Sequence, residues 1–135
     1  MLPGHIHVPT DCRTVTEILS RVGDKWSVQI VVQLGSGPKR FNELRRIVGG
    51  ISQRMLTLTL RGLERDGLVT RTVYPTVPPR VEYRLTELGC SLLTIVRGLG
   101  EWAIRNRDEI LEARRRFDEG DADDPALHLK RSNAA

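Results

Sequence analysis

Apolar side chains recur at helical spacing along most of the chain, which predicts a mainly helical protein. In the first such stretch, residues 12–22, they stand at i, i+3, i+4 and i+7: Val15, Ile18, Leu19 and Val22. Gly23 ends this pattern, and Asp24 is a residue type that caps helices. The second predicted helix, Lys25–Leu34, is apolar on most of its surface, so we expect it to lie at the centre of the core.

Two shorter helices follow, separated by glycines at positions 49 and 50. The first covers residues 41–48. The second begins after Ser52, ends near Asp66 and carries an inward stripe of leucines: Leu56, Leu60 and Leu63. Gly67 supplies the left-handed residue with which many helices end. Two short helices joined by a glycine-containing turn predict a helix-turn-helix.

The spacing then changes from helical to strand-like. Residues 69–74 are rich in β-branched side chains, and residues 81–85 alternate apolar and charged. Between them, prolines at 75, 78 and 79 predict an exposed loop, because proline cannot donate to a sheet ladder. Two strands around a protruding loop, directly after a helix-turn-helix, form a wing.

A last helix is predicted after Thr86, and no later element of the chain is left to cover its apolar stripe. It is therefore a predicted dimerisation helix. The residues assigned to the partner are Leu92, Val96, Leu99 and Trp102. Beyond a polar break, the apolar stripe continues with Ile110, Leu111 and Phe117.

The predicted fold class is mainly α with a small β-hairpin: a winged helix-turn-helix with N- and C-terminal dimerisation helices. Residues 1–11 are predicted to be a flexible arm, and residues 12–117 the winged domain with its dimer helix. Residues 118–135 are predicted to be a disordered acidic tail, since five acids stand between positions 118 and 124.

The charge of the chain is concentrated in its middle. The net charge of the 135 residues is +4, yet ten bases and only four acids stand between positions 39 and 84. A basic excess confined to one structural unit indicates a polyanionic partner. A surface that is charged only for solubility is the alternative.

The residues predicted to contact duplex DNA lie on the second helix of the motif, on the wing and just before the first helix. A recognition helix enters the major groove with its N-terminal part forward. Arg and Gln read guanine and adenine edges bidentately, and Ser and Thr suit phosphates. The set is Lys39, Arg40, Ser52, Gln53, Arg54, Thr57, Arg61, Arg71 and Arg80. An ordinary solvated helix face is the alternative.

Five ordered motifs together resemble one family. They are GDKWS (23–27), GPKRFNEL (37–44), ISQRML (51–56), DGLVTR (66–71) and PRVEYRLT (79–86). Over about residues 12–102 the chain is similar to the HxlR family of bacterial, MarR-like transcriptional regulators. The resemblance implies a homodimer, paired through its terminal helices, that binds a palindrome-like operator in double-stranded DNA. Repression is the expected direction of control.

Cys12 stands just before the first predicted helix, where many members of that family also have a cysteine. In some of them this thiol senses oxidants or electrophiles, so the resemblance makes Cys12 the candidate redox-sensing residue. Arg13 stands where proline is common in the family, but a helix start beside a base favours cysteine reactivity. An inert cysteine at a packed helix start is the alternative. A small effector is the other candidate switch, and Cys90 is predicted to be a packing residue.

The sequence carries no nucleophile paired with a base, no phosphate loop and no metal cluster, so we expect no enzyme activity, no cofactor and no metal. His5, His7 and Cys12 match no strong zinc spacing. Two cysteines make no disulfide framework, and no signal-peptide or membrane pattern is present, so a cytoplasmic location is expected. The alternative function is a winged-helix protein-interaction module without DNA binding.

Overall fold

The structure is a computed structural model and describes residues 11–122. Its elements in chain order are α1 (Asp11–Val22), α2 (Lys25–Leu34), β1 (Lys39–Arg40), α3 (Phe41–Ile47), α4 (Gln53–Arg65), β2 (Val69–Tyr74), β3 (Arg80–Leu85), α5 (Glu87–Arg105) and α6 (Arg107–Ala122). The predicted winged helix-turn-helix is confirmed. The predicted arm lies outside the described residues, apart from Asp11, which begins α1.

Helix α2 lies at the centre of the core, as its apolar composition predicted. The Asp24 carboxylate accepts hydrogen bonds from the backbone N–H groups of Trp26 and Ser27, both at 3.1 Å, and so begins the helix. Ile30 and Val31 on α2 are fully buried. Residues of α3, α4, α5 and the sheet complete the core: Leu44, Leu56, Leu60, Leu63, Leu68, Val69, Tyr83 and Leu93.

Helices α3 and α4 form the helix-turn-helix. Val48 and Ile51 are buried on either side of the turn, and Gly50 takes a positive φ of 84° that other residues rarely adopt. The predicted end of α4 is also confirmed. Gly67 has a φ of 75°, and the N–H of Leu68 donates to the carbonyl of Leu63 at 2.9 Å, which closes the helix in a Schellman motif.

The sheet has one strand more than the predicted hairpin. Its order is β1-β3-β2, and both pairings are antiparallel. Strand β1 pairs Lys39 with Tyr83 and Arg40 with Glu82. A strand of two basic residues shows no alternation of apolar and polar side chains, so the pattern gave no signal for it.

The base of the wing is fastened to the helices on both sides. The N–H of Thr86 donates to the carbonyl of Leu68 at 3.0 Å, and the Thr86 hydroxyl donates to the carbonyl of Gly67 at 2.6 Å. The same hydroxyl accepts from the N–H of Gly89 at 3.0 Å. A side chain at position 89 would overlap the Leu68 carbonyl, so only glycine fits there. The end of α4 and the start of α5 are therefore held together.

Two of the four predicted dimer residues on α5 are instead packed within the chain. Val96 is buried, and Leu92 is half-buried against the core, next to the buried Leu93. A side chain at Gly35, after α2, would overlap Leu93, so α5 packs closely over that end of α2. The stripe predicted for the partner is thus partly used by the core, whereas Leu99 and Trp102 stay exposed.

The chain groups into two compact units, one ending at Arg97 and one starting at Gly98. In the second unit the predicted polar break lies at Asn106, whose side-chain amide donates to the Trp102 carbonyl at 2.8 Å. Leu111 and Phe117 are exposed, and no apolar side chain of residues 98–120 is fully buried.

Residues 118–122 belong to helix α6, which corrects the prediction that the disordered tail begins at 118. The reason is a local charge network in which Arg115 donates to both Glu112 and Glu119. The hydrogen bond from Arg115 lowers the pKa of the exposed Glu112 carboxyl, and the same pairing raises the pKa of Arg115. None of the helices described here is long and apolar enough to cross a membrane.

Candidate nucleic-acid interface

Helix α4 separates its buried and polar residues onto different faces. At about 100° per residue, the four predicted contact residues inside the helix fall within one quarter to one third of its circumference. They are Gln53, Arg54, Thr57 and Arg61, and all four are exposed. The buried leucines, Leu56, Leu60 and Leu63, lie on the other side. The core therefore presents the polar face of α4 to the outside.

The arginines of this face carry uncompensated charge. Arg54 and Arg61 make no salt bridge within residues 11–122, and neither does Arg71 on the wing. Glu64, one turn after Arg61, is the exposed acid of the helix. Exposed guanidinium groups without internal partners are available to bases and phosphates.

The two predicted hydroxyl contacts are partly engaged in the helix itself. Ser52 caps α4, because its Oγ accepts from the N–H of Met55 at 3.0 Å. The Thr57 hydroxyl donates to the Gln53 carbonyl at 2.9 Å. Ser52 keeps its hydroxyl proton, and Thr57 keeps its oxygen lone pairs, for an outside partner.

The basic residues before α3 are held by short local contacts. The Lys39 ammonium donates to the Ser36 hydroxyl at 3.0 Å. Arg40 is the N-cap residue that precedes α3, and its N–H donates to the Glu43 carboxylate at 3.1 Å. The Arg40 side chain is exposed, while Lys39 is partly covered.

The strand register divides the basic residues of the sheet between its two faces. Arg71 lies opposite the buried Tyr83, so it shares the core-facing side of the sheet. Tyr74 pairs with Arg80, which places Arg80 on the outer side. Arg40 and Arg84 lie on that outer side as well, because Arg40 pairs with Glu82 and Arg84 pairs with Thr70. The sequence did not single out Arg84.

Arg80 lies at the base of the wing loop rather than at its tip. It is the first residue of β3, and its guanidinium lies 4.4 Å from the centre of the Tyr74 ring. Its Nε is buried and 3.5 Å from a Glu82 carboxylate oxygen. The physical reason is the register of the hairpin, which sets Tyr74 directly across from Arg80. Arg80 is therefore pre-positioned at the base of the loop.

A second surface, formed by apolar side chains, lies apart from the polar face of α4. A groove of about 1370 Å³ runs between α1, α4 and α5. Its apolar lining includes Ile18 on α1, Met55 and Leu58 on α4, and Leu88 and Ile95 on α5. Around it, Val15 and Leu19 of α1 are also exposed. Leu58 stands about 100° around α4 from Thr57, so this helix serves both surfaces.

Both cysteines are free and exposed, Cys12 in the first turn of α1 and Cys90 in the first turn of α5. Cys90 is thus not the buried packing residue that the sequence predicted. His5 and His7 lie outside the described residues, and within the described part of the chain no three metal-binding side chains come together.

A comparison with protein families matches residues 21–111 to the HxlR-like helix-turn-helix. The chain belongs to this family. The relative YybR of Bacillus subtilis (strain 168), an uncharacterized HTH-type transcriptional regulator, is 53% identical over 97 residues, which cover 72% of this chain and 77% of YybR. The HxlR-like chain is thus a DNA-binding transcriptional regulator by family, and its family members are regulators rather than enzymes.

Two solved structures of redox-related regulators resemble this HxlR-like protein. The redox regulator HypR in its reduced form is 51% identical, with a TM-score of 0.67, over 74% of this chain and 98% of HypR. Diamide-treated YodB from B. subtilis is 35% identical, with a TM-score of 0.62, over 75% of this chain and 96% of YodB. The sequence identities of both matches are high enough to compare individual residues as well as the fold.

Proposed function

We propose that this protein is a homodimeric regulator that places helix α4 in the major groove of operator DNA and responds to thiol oxidation at Cys12. The observation that carries DNA binding is the polar face of α4. Its side chains Gln53, Arg54 and Arg61 are exposed on a helix whose opposite face is buried in the core. A rigid helix with free Arg and Gln side chains suits base reading.

The wing supplies contacts that do not depend on sequence. The outer face of the sheet carries three arginines, Arg40, Arg80 and Arg84. The acidic residue on this face is Glu82. Guanidinium groups on one face of a hairpin suit phosphates or a narrow minor groove. Arg71, on the opposite face, reaches a different part of the duplex or none.

A second copy of the chain covers the apolar side chains of α1. Val15, Ile18 and Leu19 are at least half exposed in the isolated chain, as are Leu99 and Trp102. Exposed apolar residues in such number on a monomer mark an interaction surface. Two copies then present two α4 helices to two half-sites of a palindrome-like operator.

Oxidation at Cys12 is the proposed switch. Hydrogen peroxide converts the Cys12 thiolate to a sulfenic acid: the O–O bond breaks, an S–O bond forms and hydroxide leaves. The sulfenic acid then condenses with a second thiol to a disulfide and releases water. The candidates for this thiol are Cys90, Cys12 of a second copy and a small cellular thiol. The support is that Cys12 is exposed on α1, the helix assigned to the dimer, and that HypR is a redox regulator.

The test of DNA binding is selection from a random duplex library followed by fluorescence anisotropy on the selected sequence. Affinity should fall with salt, with a log–log slope of roughly −5 to −9 for six to ten phosphate contacts. A slope near zero would contradict phosphate contact, and selection of no sequence would favour a protein-interaction module.

The test of the switch is titration of the same complex with diamide or peroxide. The affinity of the parent should change, and Cys12→Ser should abolish that change. Cys90→Ser then identifies the second thiol, because it abolishes the response only if Cys90 is the resolving residue. An oxidant response that survives Cys12→Ser refutes the assignment. A promoter–reporter fusion, with and without the regulator, decides whether control is repression, as we propose.

A further inference from the structure

An ion pair formed by Arg21 joins helix α1 to helix α4. The side chains of residues 12–20 are all exposed, so the first two turns of α1 pack little against their own chain. Arg21, in the last turn, is partly buried, and its Nε donates to the Asp66 carboxylate at 3.0 Å. Asp66 is the C-cap residue of α4. This ion pair therefore ties the end of one helix to the end of the other.

Gly62 forms the surface on which Arg21 lies. A side chain at position 62 would overlap the guanidinium of Arg21. Gly62 lies inside α4 and does not have a positive φ, so its backbone does not require glycine. Glycine weakens a helix interior relative to alanine. Because glycine has no side chain, position 62 leaves the space that the Arg21 guanidinium occupies.

We propose that Arg21 is a positioning residue that sets the orientation of α4 relative to α1. The inference rests on the proposed function, in which α1 belongs to the dimer and α4 enters the major groove. In such a dimer, the orientation of α4 on α1 decides the distance between the two recognition helices. Arg21, Gly62 and Asp66 then determine the half-site spacing that the protein accepts.

The size of the effect follows from the length of α4. Its thirteen residues span about 20 Å, at 1.5 Å per residue. Arg21 holds the C-terminal end, while Ser52, Gln53 and Arg54 lie at the other end. A rotation of about 10° at the held end moves the far end by about 3 Å, close to the rise of one base pair. Loss of this contact should therefore allow the dimer to accept half-site spacings that differ by about one base pair.

The experiment compares the selected operator with two versions whose half-sites are one base pair closer or farther apart. Anisotropy on the dimeric full-length parent should show at least about tenfold weaker binding at the altered spacings. Arg21→Gln should reduce this discrimination to about threefold or less. The control is Arg65→Gln, which removes the same charge from exposed α4 surface and should change affinity by the same factor at every spacing.

Gly62→Ala separates positioning from folding. The added methyl group displaces the Arg21 guanidinium, whereas alanine itself favours the helix. The variant should melt at or above the temperature of the parent and still lose spacing discrimination. The positioning role is overturned if Arg21→Gln and Gly62→Ala, both folded and dimeric, discriminate as the parent does. A parent that selects no duplex would instead overturn the proposed function, and this inference with it.

Discussion

Helices α1 and α2 both carry apolar residues at helical spacing, on one face of α1 and on most of the surface of α2, and they end in opposite environments. Both helices are short. Ile30 on α2 is completely buried, whereas Ile18 on α1 is 50% exposed and Leu19 61% exposed. Helix α2 is covered by α3, α4 and the sheet, while α1 keeps its apolar face open. The all-round apolar composition of α2 predicted its burial, whereas the periodicity of α1 predicts that a helix forms but does not tell which chain covers its apolar face.

The largest effect should come from the covered helix. Ile30→Ala leaves a cavity in the core and should lower the free energy of unfolding by about 2–5 kcal/mol. The matched substitution Ile18→Ala should change the unfolding of the monomer by no more than about 0.5 kcal/mol. Chemical denaturation followed by circular dichroism, at protein concentrations that favour the monomer, measures both. Equal costs for the two variants would contradict the comparison.

The open face of α1 should matter for assembly. Leu19→Glu places an unpaired charge in the proposed dimer surface, at a cost of several kcal/mol. The dimer dissociation constant should therefore rise at least about a hundredfold in analytical ultracentrifugation, with circular dichroism unchanged. Gln29→Glu, which adds the same charge to the exposed side of α2, is the control. A Leu19→Glu protein that sediments as the parent does would remove α1 from the interface.

Helix α4 has both environments: one side is buried in the core, and the other, polar side is exposed to solvent. Arg54→Ala should cost about 1–3 kcal/mol in operator binding and relax base preference at one position. Arg107→Ala, an exposed charge on α6, is the control for net charge. Anisotropy on operators substituted at each base pair measures both quantities. An even loss across all positions would make Arg54 a phosphate contact.

The smallest effect should come from Tyr74, which holds the predicted DNA-contact residue Arg80 in place. Tyr74→Leu removes the ring beneath the Arg80 guanidinium but keeps an apolar side chain. Because a cation–π contact contributes about 0.5–1 kcal/mol, DNA affinity should fall about two- to fivefold, evenly across sequences. If Arg80→Ala already binds as the parent does, the wing arginine makes no contact and Tyr74→Leu should also be silent.

Helices α2 and α4 could be predicted from sequence because the signals at their ends are local. Asp24, Ser52 and Gly67 mark helix ends through bonds to their near neighbours, and each occurs where expected. The contact between Arg80 and Tyr74 needed the strand register, which a five-residue loop leaves open. The contact between Arg21 and Gly62 could not be predicted from the sequence, because residues 21 and 62 come together only when α1 and α4 pack in the folded chain.

Two other differences concern where neighbours lie rather than which helices form. Val96 fits the apolar stripe on α5 equally well as a residue buried within the chain or as a partner residue, and the structure shows it buried within the chain. Residues 118–122 have an acidic composition typical of disorder, but the pairing of Glu119 with Arg115 favours a helix. In both cases the sequence pattern was compatible with two outcomes.

The hydrogen bonds of Thr86 have a consequence for how this protein can change. The chain enters the hairpin at Leu68 and leaves it at Thr86, and a backbone hydrogen bond of 3.0 Å joins these two residues. The two ends of the hairpin therefore meet. Its loop can be lengthened, shortened or exchanged at small entropic cost, since closing a loop between fixed ends depends only weakly on length. The loop between β2 and β3 can thus diversify in evolution, or be exchanged by design, while the strands, α4 and α5 stay in place.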